Sequence, residues 1–189
     1  SFLVEITIKI IEKSNSNRYL ISRIVDKVDD NNTGAWALGL SLDYKFPIPS
    51  ISSSVEARFL SRQKRIFKKL NIKNDIKQIQ LKKIKEEMKI ITKLSIISCY
   101  LQGIGLLEKI SHKEKIILKN VLLSWSRNSI IRSDLIKEYL LIIKNNKFNI
   151  TSIVKKEYSL SKRKSLINIM IFLTEKNLCL PSVFSTYVW

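Results

Sequence analysis

The sequence LSIISCYLQGIGLL, from Leu94 to Leu107, decides the fold, because it is the longest uncharged run in the middle of the chain. Its 14 residues are fewer than the roughly 20 that a membrane-spanning helix needs. Before this run, apolar residues recur every three to five positions among Lys and Glu, as in an amphipathic helix. We therefore predict one long helix from Asn74 to Leu107, with its second half buried on most sides.

Helical patterns also occur on both sides of this long helix. A loop rich in Asp and Asn, Asp29 to Gly34, precedes the first of them, and Thr33 is a candidate N-cap. The segment from Phe2 to Lys13 alternates in its second half, so its period fits a strand as well as a helix. The other predicted helices cover residues 34–44, 50–61, 113–125, 132–144 and 161–176, and Pro181 begins a last short segment. These patterns predict an all-α fold of six to eight helices in a single domain, residues 1–189.

Length and composition agree with one globular domain. The chain has 189 residues, of which 45% are hydrophobic and 26% charged, so it is neither disordered nor a disulfide scaffold. Its 4 Gly and 3 Pro are too few for an all-β fold with many tight turns. The 2 cysteines fit a reducing compartment, and the first residues lack the basic region of a secretory signal. We therefore expect a soluble, cytoplasmic protein without a membrane partner.

The net charge of +18 is high, but Lys, Ile and Asn are abundant along the whole chain. The charge is therefore a compositional trend rather than a patch built for a partner. A nucleic-acid surface more often combines Arg with aromatic residues on one face. The basic run from Arg62 to Lys69 favours a nucleic-acid-binding protein, but a solvated stretch between two helices explains it more simply. We expect only non-specific binding to nucleic acids.

The residues offer little evidence for a metal, nucleotide or catalytic site. The chain has 1 His, His112, which we expect to be solvated near a helix start, and neither Cys belongs to a C-x-x-C pair. Gly103-Ile104-Gly105 lacks both a preceding strand and a third Gly, so it is not a dinucleotide-binding loop. Small residues that permit close helix packing are the simpler interpretation. These observations alone indicate a helical domain without assigning it a function.

Six segments, taken in order along the chain, resemble motifs of the 6-phosphogluconate dehydrogenases. Asp26–Trp36 (DKVDDNNTGAW) is similar to the family loop D-x-A-x-Q-K-G-T-G-K-W. Val55–Ser61 (VEARFLS) begins nineteen residues after Trp36, at the family spacing, and is similar to V-F-A-R-x-L-S. The other four segments are Ser1–Thr7, Ser98–Gly103, Trp125–Ser133 and Leu180–Thr186, similar to SFLIEIT, S-Y-A-Q-G, W-R-G-G-C-I-I-R-S and I-P-x-P-x-F-S-T. Order and spacing together make the resemblance specific.

The resemblance implies the all-helical C-terminal domain of that enzyme, with one long central helix. The family oxidises 6-phosphogluconate with NADP and releases carbon dioxide to give ribulose 5-phosphate, a step of the pentose phosphate pathway. In the family, the NADP-binding Rossmann domain and the catalytic Lys and Glu precede the segment that this chain resembles, and a C-terminal tail follows it. The resemblance thus implies an oxidoreductase chain that holds no catalytic residue, supplies part of the substrate site, and is inactive alone.

The resemblance also implies a homodimer. A helix that is apolar on most sides must be buried inside the protein or against a partner. We expect the dimer interface to use the apolar half of the long helix and the segment Trp125 to Ile131. The residues expected at the interface in the long helix are Ile96, Ile97, Tyr100 and Leu101.

Three residues match the family's binding site for the substrate phosphate, namely Asn31, Thr33 and Arg58. Thr33 keeps the family Thr, whereas Asn31 stands where the family has Lys and Asn32 where it has Gly. An amide in place of an ammonium group loses a charge-assisted hydrogen bond, which is roughly twice as strong as a neutral one. Arg58 matches the family's phosphate-binding Arg, whose planar fork suits a phosphate. Without the resemblance, Thr33 is a helix cap and Arg58 a solvated charge.

A non-catalytic remnant of the same enzyme is the alternative interpretation. The family sequence W-R-G-G corresponds here to Trp125-Ser126-Arg127-Asn128, which has lost both glycines. Such a loss is costly where two backbones pack closely. A basic helical nucleic-acid-binding protein is a third, weaker alternative.

Overall fold

A computed structural model describes residues 1–15, 18–25, 28–29, 32–63, 81–145, 149–176 and 180–188. The described chain divides into two compact units. The first unit contains Ser1–Lys27 and Ser111–Phe148, and the second contains Val28–Ile110 and Asn149–Trp189. Asn31, the predicted helix start at Asn74 and most of the basic run after Arg62 lie outside the described residues.

The described residues form nine α-helices, one short 3₁₀ helix and a minimal hairpin. The helices are α1 (Phe2–Glu12), α2 (Thr33–Asp43), α3 (Pro49–Arg62), α4 (Leu81–Ser111), α5 (Leu118–Asn128), α6 (Asp134–Lys144), α7 (Ile150–Glu157), α8 (Leu160–Glu175) and α9 (Pro181–Val188). Antiparallel strands of two residues each, β1 (Ser14–Asn15) and β2 (Arg18–Tyr19), precede the 3₁₀ helix Leu20–Arg23. The predicted all-α fold with one long helix is confirmed.

The described residues contain nine α-helices, one more than the upper limit of the predicted six to eight. The N-terminal segment, for which the sequence leaves strand and helix open, is helix α1. Helix α7 is absent from the predicted helices, because its 8 residues show the helical apolar period for only two turns. Asn149 caps α7 by accepting a hydrogen bond from the Ser152 N–H at 3.0 Å, a signal that short helices share with ordinary turns.

The first unit has a small core formed by α5 and α6. Its buried apolar residues are Leu122, Ile136, Tyr139 and Leu140. Ser133 caps α6, since its Oγ accepts a hydrogen bond from the Ile136 N–H at 3.3 Å. The guanidinium of Arg132 lies 3.3 Å from the ring centre of Phe2, which ties α1 to the start of α6 through a cation–π contact.

The second unit is built around α4. Leu94, Ile97, Leu101 and Ile104 follow one another at helical spacing and are at most 1% exposed. Ile91 packs with α8 and α9, and Leu106 and Ile110 pack with Ile48, which precedes α3. The stretch Lys85–Ser111 is long and apolar enough to cross a membrane, but 56% of its most apolar window is buried inside the protein. It is the core helix of this unit.

The burial of α4 overturns part of the expected dimer interface. Ile97 and Leu101 are 0% exposed within the single chain, and Tyr100 is 8% exposed. These side chains pack against the chain's own helices and leave no surface for a second subunit. The expectation that they form the dimer interface is therefore wrong.

Gly105 in α4 serves helix packing, as the sequence predicts for the glycine pair to which it belongs. A Cβ atom on Gly105 would lie 2.4 Å from Cζ of Phe46 and 2.8 Å from Cδ1 of Ile150. Both distances are too short for a side chain to fit without displacing its neighbours. Gly105 therefore lets the segment before α3 and the start of α7 approach the α4 backbone closely.

Candidate functional site

The first turn of α2 packs directly on the middle of α3. A Cβ atom on Gly34 would lie 2.7 Å from Cγ2 of Val55, so only a glycine lets the two helices come this close. Val55 is 4% exposed and fixes the contact from the α3 side. Because Thr33 precedes Gly34, and Arg58 lies one helical turn after Val55, this contact determines how the two predicted ligands are held.

The N-terminus of α2 begins at a residue in the left-handed region. Asn32 has φ 64° and ψ −8°, a conformation that Gly adopts most readily and that Asn tolerates better than most other residues. Its carbonyl accepts the first helical hydrogen bond from the Trp36 N–H at 3.0 Å, but its side chain does not cap α2. The N-cap is therefore Asn32, and the predicted N-cap, Thr33, is the exposed first residue of the helix.

Arg58 lies in the exposed second half of α3. Its carbonyl accepts a hydrogen bond from the Ser61 Oγ at 2.7 Å. Among the described residues, its guanidinium has no ion pair with an acidic side chain. An exposed guanidinium without a carboxylate partner is suited to an anion arriving from solvent.

The loop before α2 is attached to the end of α3. The Val28 N–H donates to the Ser61 Oγ at 3.2 Å, and the Arg62 Nε donates to the Val28 carbonyl at 3.1 Å. Arg62 also approaches the Asp29 carboxylate at 3.9 Å, but that carboxylate is 93% exposed, so the ion pair contributes little. The described residues before and at the start of α2 thus contact α3 at two positions, Val28 and Gly34.

Arg62 has a role that the sequence analysis does not predict. The sequence places it at the start of a solvated basic run, whereas its side chain anchors Val28, in the segment before α2. Arg62 lies four residues after Arg58 and therefore on the same face of α3, which is the one sequence signal that links the two residues. Its partner is a backbone carbonyl, which no residue pattern reveals.

An open groove of about 690 Å³ lies elsewhere along α2 and α3 and does not suit a phosphate. Its lining residues are Leu38, Ser41, Leu42, Pro47, Ile48, Pro49, Ser52 and Glu56. The only charge among them is the Glu56 carboxylate, which repels anions. The predicted site at Thr33 and Arg58 is therefore separate from this groove.

The described residues do not fit NADP or a metal ion. Gly105 is enclosed by Phe46 and Ile150, so its backbone has no room for a pyrophosphate. Within the described ranges, no three His, Cys, Asp or Glu side chains converge on a possible metal position. His112 is exposed in the turn that follows α4, rather than near a helix start.

Two titratable groups lie beside the core of the second unit. Burial raises the pKa of the Cys99 thiol and is the main reason why the pKa of the Tyr158 phenol is raised as well. The Tyr158 hydroxyl donates to the Ser98 Oγ at 2.9 Å. The Leu94 carbonyl oxygen is a second acceptor within reach, 3.2 Å from the same hydroxyl. These groups belong to the packing of α4 and not to the predicted phosphate site.

Comparison with known proteins shows the family of this chain. The family model for the 6-phosphogluconate dehydrogenase C-terminal domain matches residues 1–189. The chain is 39% identical over 121 residues to a 6-phosphogluconate dehydrogenase of Buchnera aphidicola from Acyrthosiphon pisum, which is 60% of this chain and 25% of that protein. It is 30% identical over 168 residues to the enzyme of Buchnera aphidicola from Schizaphis graminum, which is 84% of this chain and 35% of that protein. The chain thus spans about a quarter to a third of these relatives.

A solved structure has the same fold. The 6-phosphogluconate dehydrogenase of Plasmodium falciparum, studied in its apo form, with NADP+ and with 6-phosphogluconate, matches with a TM-score of 0.84. The match covers 100% of this chain and 43% of that chain at 24% identity. At this identity the likeness establishes the helical fold alone.

Proposed function

Because the chain belongs to the 6-phosphogluconate dehydrogenase family through its C-terminal domain, we propose that it binds the phosphate of 6-phosphogluconate. The complete protein oxidises this substrate with NADP and decarboxylates it to ribulose 5-phosphate in the cytoplasm. This chain supplies Thr33, Arg58 and Asn31 to the substrate site. The close packing of Gly34 on Val55 is the observation that carries the proposal, since it brings the start of α2 onto the helix that bears Arg58.

The chemistry of these groups favours a phosphate. Unpaired N–H groups and the helix dipole make the N-terminus of a helix attractive to anions. The Thr33 hydroxyl is a donor at that N-terminus, and the Arg58 guanidinium offers two parallel donors to phosphate oxygens. The left-handed Asn32 keeps the loop conformation that a Gly would allow, which supports a preserved site despite the substitution.

The NADP site lies in another part of the complete protein. The described residues contain no loop that fits a pyrophosphate, so we derive no hydride-transfer step from this chain. We expect the 189-residue chain to be inactive alone and calorimetry with NADP to be silent. Binding of NADP at micromolar concentration would show that this division is wrong.

We also propose a homodimer, with an interface that includes the segment Trp125 to Ile131 and not the buried face of α4. Ile130 is 59% exposed within this segment, which leaves an apolar side chain for a partner to cover. Light scattering at micromolar concentration should give twice the monomer mass. A stable monomer would contradict the proposal.

Titration of the chain with 6-phosphogluconate tests the phosphate site. The Trp36 side chain is 67% exposed one turn into α2, so the NMR signal of its indole N–H reports on ligand at the α2 N-terminus. Arg58→Ala should weaken binding, because it removes a charge-assisted hydrogen bond. Asn31→Lys should strengthen binding about ten- to hundred-fold, since a hydrogen bond to a charged group contributes about 1.5–3 kcal/mol.

Asn168→Lys is the matched control for the gain of charge. Asn168 is exposed on α8, away from α2 and α3 in the chain, and the substitution adds the same charge. It should change the affinity far less than Asn31→Lys does. If Arg58→Ala and Asn31→Lys both leave the affinity unchanged, the loop no longer binds phosphate and the remnant interpretation is favoured.

A further inference from the structure

The N-terminus of α3 has no cap of its own. Its N-cap residue is Ile48, whose side chain offers no acceptor, and Pro49 has no N–H group. The Ser52 N–H donates to the Ile48 carbonyl at 2.9 Å, which is the first helical hydrogen bond. The N–H groups of Ser50 and Ile51 therefore need acceptors from elsewhere.

Gln102, at the centre of α4, supplies these acceptors. Its Oε1 accepts from the Ser50 N–H at 2.9 Å and from the Ile51 N–H at 3.4 Å. Its Nε2 donates to the Ser50 Oγ at 3.0 Å. Gln102 and Ser50 are both 0% exposed, so water cannot replace these bonds. One buried amide thus performs the role of an N-cap from 52 residues away along the chain.

Hydroxyl groups extend this connection to α9. The Ser50 Oγ and the Thr186 Oγ1 are 3.4 Å apart, and Thr186 is 0% exposed. One turn further along α3, the Ser54 Oγ and the Ser182 Oγ are 2.7 Å apart. In the described part of the chain, every buried side-chain polar atom has a hydrogen-bond partner. The start of α3 is therefore fixed to α4 and α9 by a fully satisfied polar network.

The two ends of α3 differ in what holds them. The buried end, Pro49–Val55, contains the residues bonded to Gln102 and Val55 itself. In the exposed end, Glu56–Arg62, most side chains face solvent. Arg58 lies eight residues after Ser50, about 12 Å along a straight helix at 1.5 Å per residue. A helix is stiff along its length. The position of the buried end, along and around the helix axis, therefore determines where Arg58 lies.

We propose that Gln102 is a positioning residue for the phosphate site, acting through α3 on Arg58. This inference rests on the proposed function, because it assumes that Arg58 contacts the substrate phosphate. Without the Gln102 amide, the N–H groups of Ser50 and Ile51 lose their acceptor in a place that water does not reach. The start of α3 then frays or shifts, and Arg58 loses its position relative to the start of α2.

Three variants of the chain, titrated with 6-phosphogluconate, test the role of Gln102. Gln102→Met removes the acceptor and the donor at nearly constant volume, and should weaken binding about ten-fold, as loss of one phosphate hydrogen bond does. Gln102→Glu keeps an acceptor for both N–H groups, and the Ser50 hydroxyl can reverse to donate to it. Gln102→Glu should restore the affinity to within about two-fold of the native chain, a rescue that follows from capping. If Gln102→Met does not fold, Gln102→Asn, whose amide is one methylene shorter, takes its place.

Tyr158→Phe is the control for a general loss of stability. It deletes a hydroxyl whose hydrogen bonds go to Ser98 and Leu94 on α4, where Ser98 lies one turn before Gln102. It should destabilise the chain without changing the affinity for 6-phosphogluconate. A folded Gln102 variant with native affinity, or an equal loss of affinity in Tyr158→Phe, would overturn the proposal. Failure of the native chain to bind, or native affinity in Arg58→Ala, would instead contradict the proposed function.

Discussion

The buried end and the exposed end of α3 belong to one helix but obey different constraints. At the buried end, Ser50 is held by a neutral partner, since the Gln102 side chain bonds its N–H at 2.9 Å and its Oγ at 3.0 Å. At the exposed end, Arg58 has no acidic partner among the described residues. The difference teaches that the fold of the second unit depends on one end of this helix, whereas its proposed chemistry depends on the other.

Gly105→Ala should lower the stability of the chain most, because it disturbs the packing next to the buried end of α3. The new Cβ would lie 2.4 Å from Phe46, in the segment that leads into α3, and overpacking of this kind costs about 2 to 3 kcal/mol. Urea denaturation of the chain measures the loss of stability.

Gly39→Ala is the matched control for this change. Nothing lies within 4 Å of a Cβ at Gly39, which is in the interior of α2. This substitution should stabilise the chain by about 0.5 to 1 kcal/mol, because Ala loses less backbone entropy in a helix. Equal effects of the two substitutions would contradict the close packing at Gly105.

Ser50→Ala should weaken the buried end by about 1 to 2 kcal/mol. It removes the Oγ that accepts from the Gln102 Nε2, and leaves that buried donor unsatisfied. Ser53→Ala, which removes a half-buried hydroxyl bonded to the Ser50 carbonyl, should cost less than about 0.5 kcal/mol. Thermal or urea unfolding distinguishes the two, and a larger loss at Ser53 would show that the network is misassigned.

Alkaline pH should destabilise the second unit through two groups beside the core of α4, Cys99 and Tyr158. The pKa values of Cys99 and Tyr158 are raised by burial, so the unfolded chain loses these protons before the folded chain does. The folded state then binds more protons, and stability falls as pH rises above about 9, by at most about 1.4 kcal/mol per pH unit for each group. Unfolding curves at pH 7, 9 and 10.5 should show this decline.

Tyr158→Phe separates the contribution of the phenol from that of Cys99. Its stability should fall less steeply than that of the native chain above about pH 10, where the phenol of an unfolded chain ionises. Identical slopes in the two proteins would mean that Tyr158 is not responsible. Stability that rises with pH would contradict the direction of both pKa shifts.

Arg58→Ala should have the smallest effect on stability, less than about 0.5 kcal/mol in either direction. The side chain is exposed, and the Ser61 Oγ bonds the Arg58 backbone rather than the guanidinium. Urea denaturation beside the 6-phosphogluconate titration gives both quantities for one variant. A loss above about 1.5 kcal/mol would mean that Arg58 is part of the fold.

The fold was predictable where burial follows a local period. Leu94, Ile97 and Leu101 lie inside the protein as their helical spacing indicates. Gln102 is a polar residue within this apolar run, and the sequence gave no signal of its role. That role depends on Ser50 and on the lack of a side-chain cap at the start of α3. The apolar period of α4 also predicts a dimer interface on its buried face, because such a period indicates burial but not which chain covers the helix.

The candidate site was predictable only as far as its residue types. The resemblance selected Thr33 and Arg58, and the structure adds the Gly34 contact that relates their helices. The left-handed backbone of Asn32 could not be predicted, since Asn in place of the family Gly suggests that the loop conformation is lost. Tertiary hydrogen bonds to backbone atoms, such as the one from Arg62 to Val28, leave no trace in the sequence.

The remote cap on α3 has a consequence for the order in which the chain folds. A helix capped by its own neighbours can begin to form as soon as it is synthesised, whereas α3 must wait for Gln102, 52 residues later. Closing a loop of that length costs chain entropy before the contact contributes anything. Contacts so distant in sequence slow folding, and α3 is expected to acquire its structure after the transition state, with low φ-values at Ser50 and Ile51.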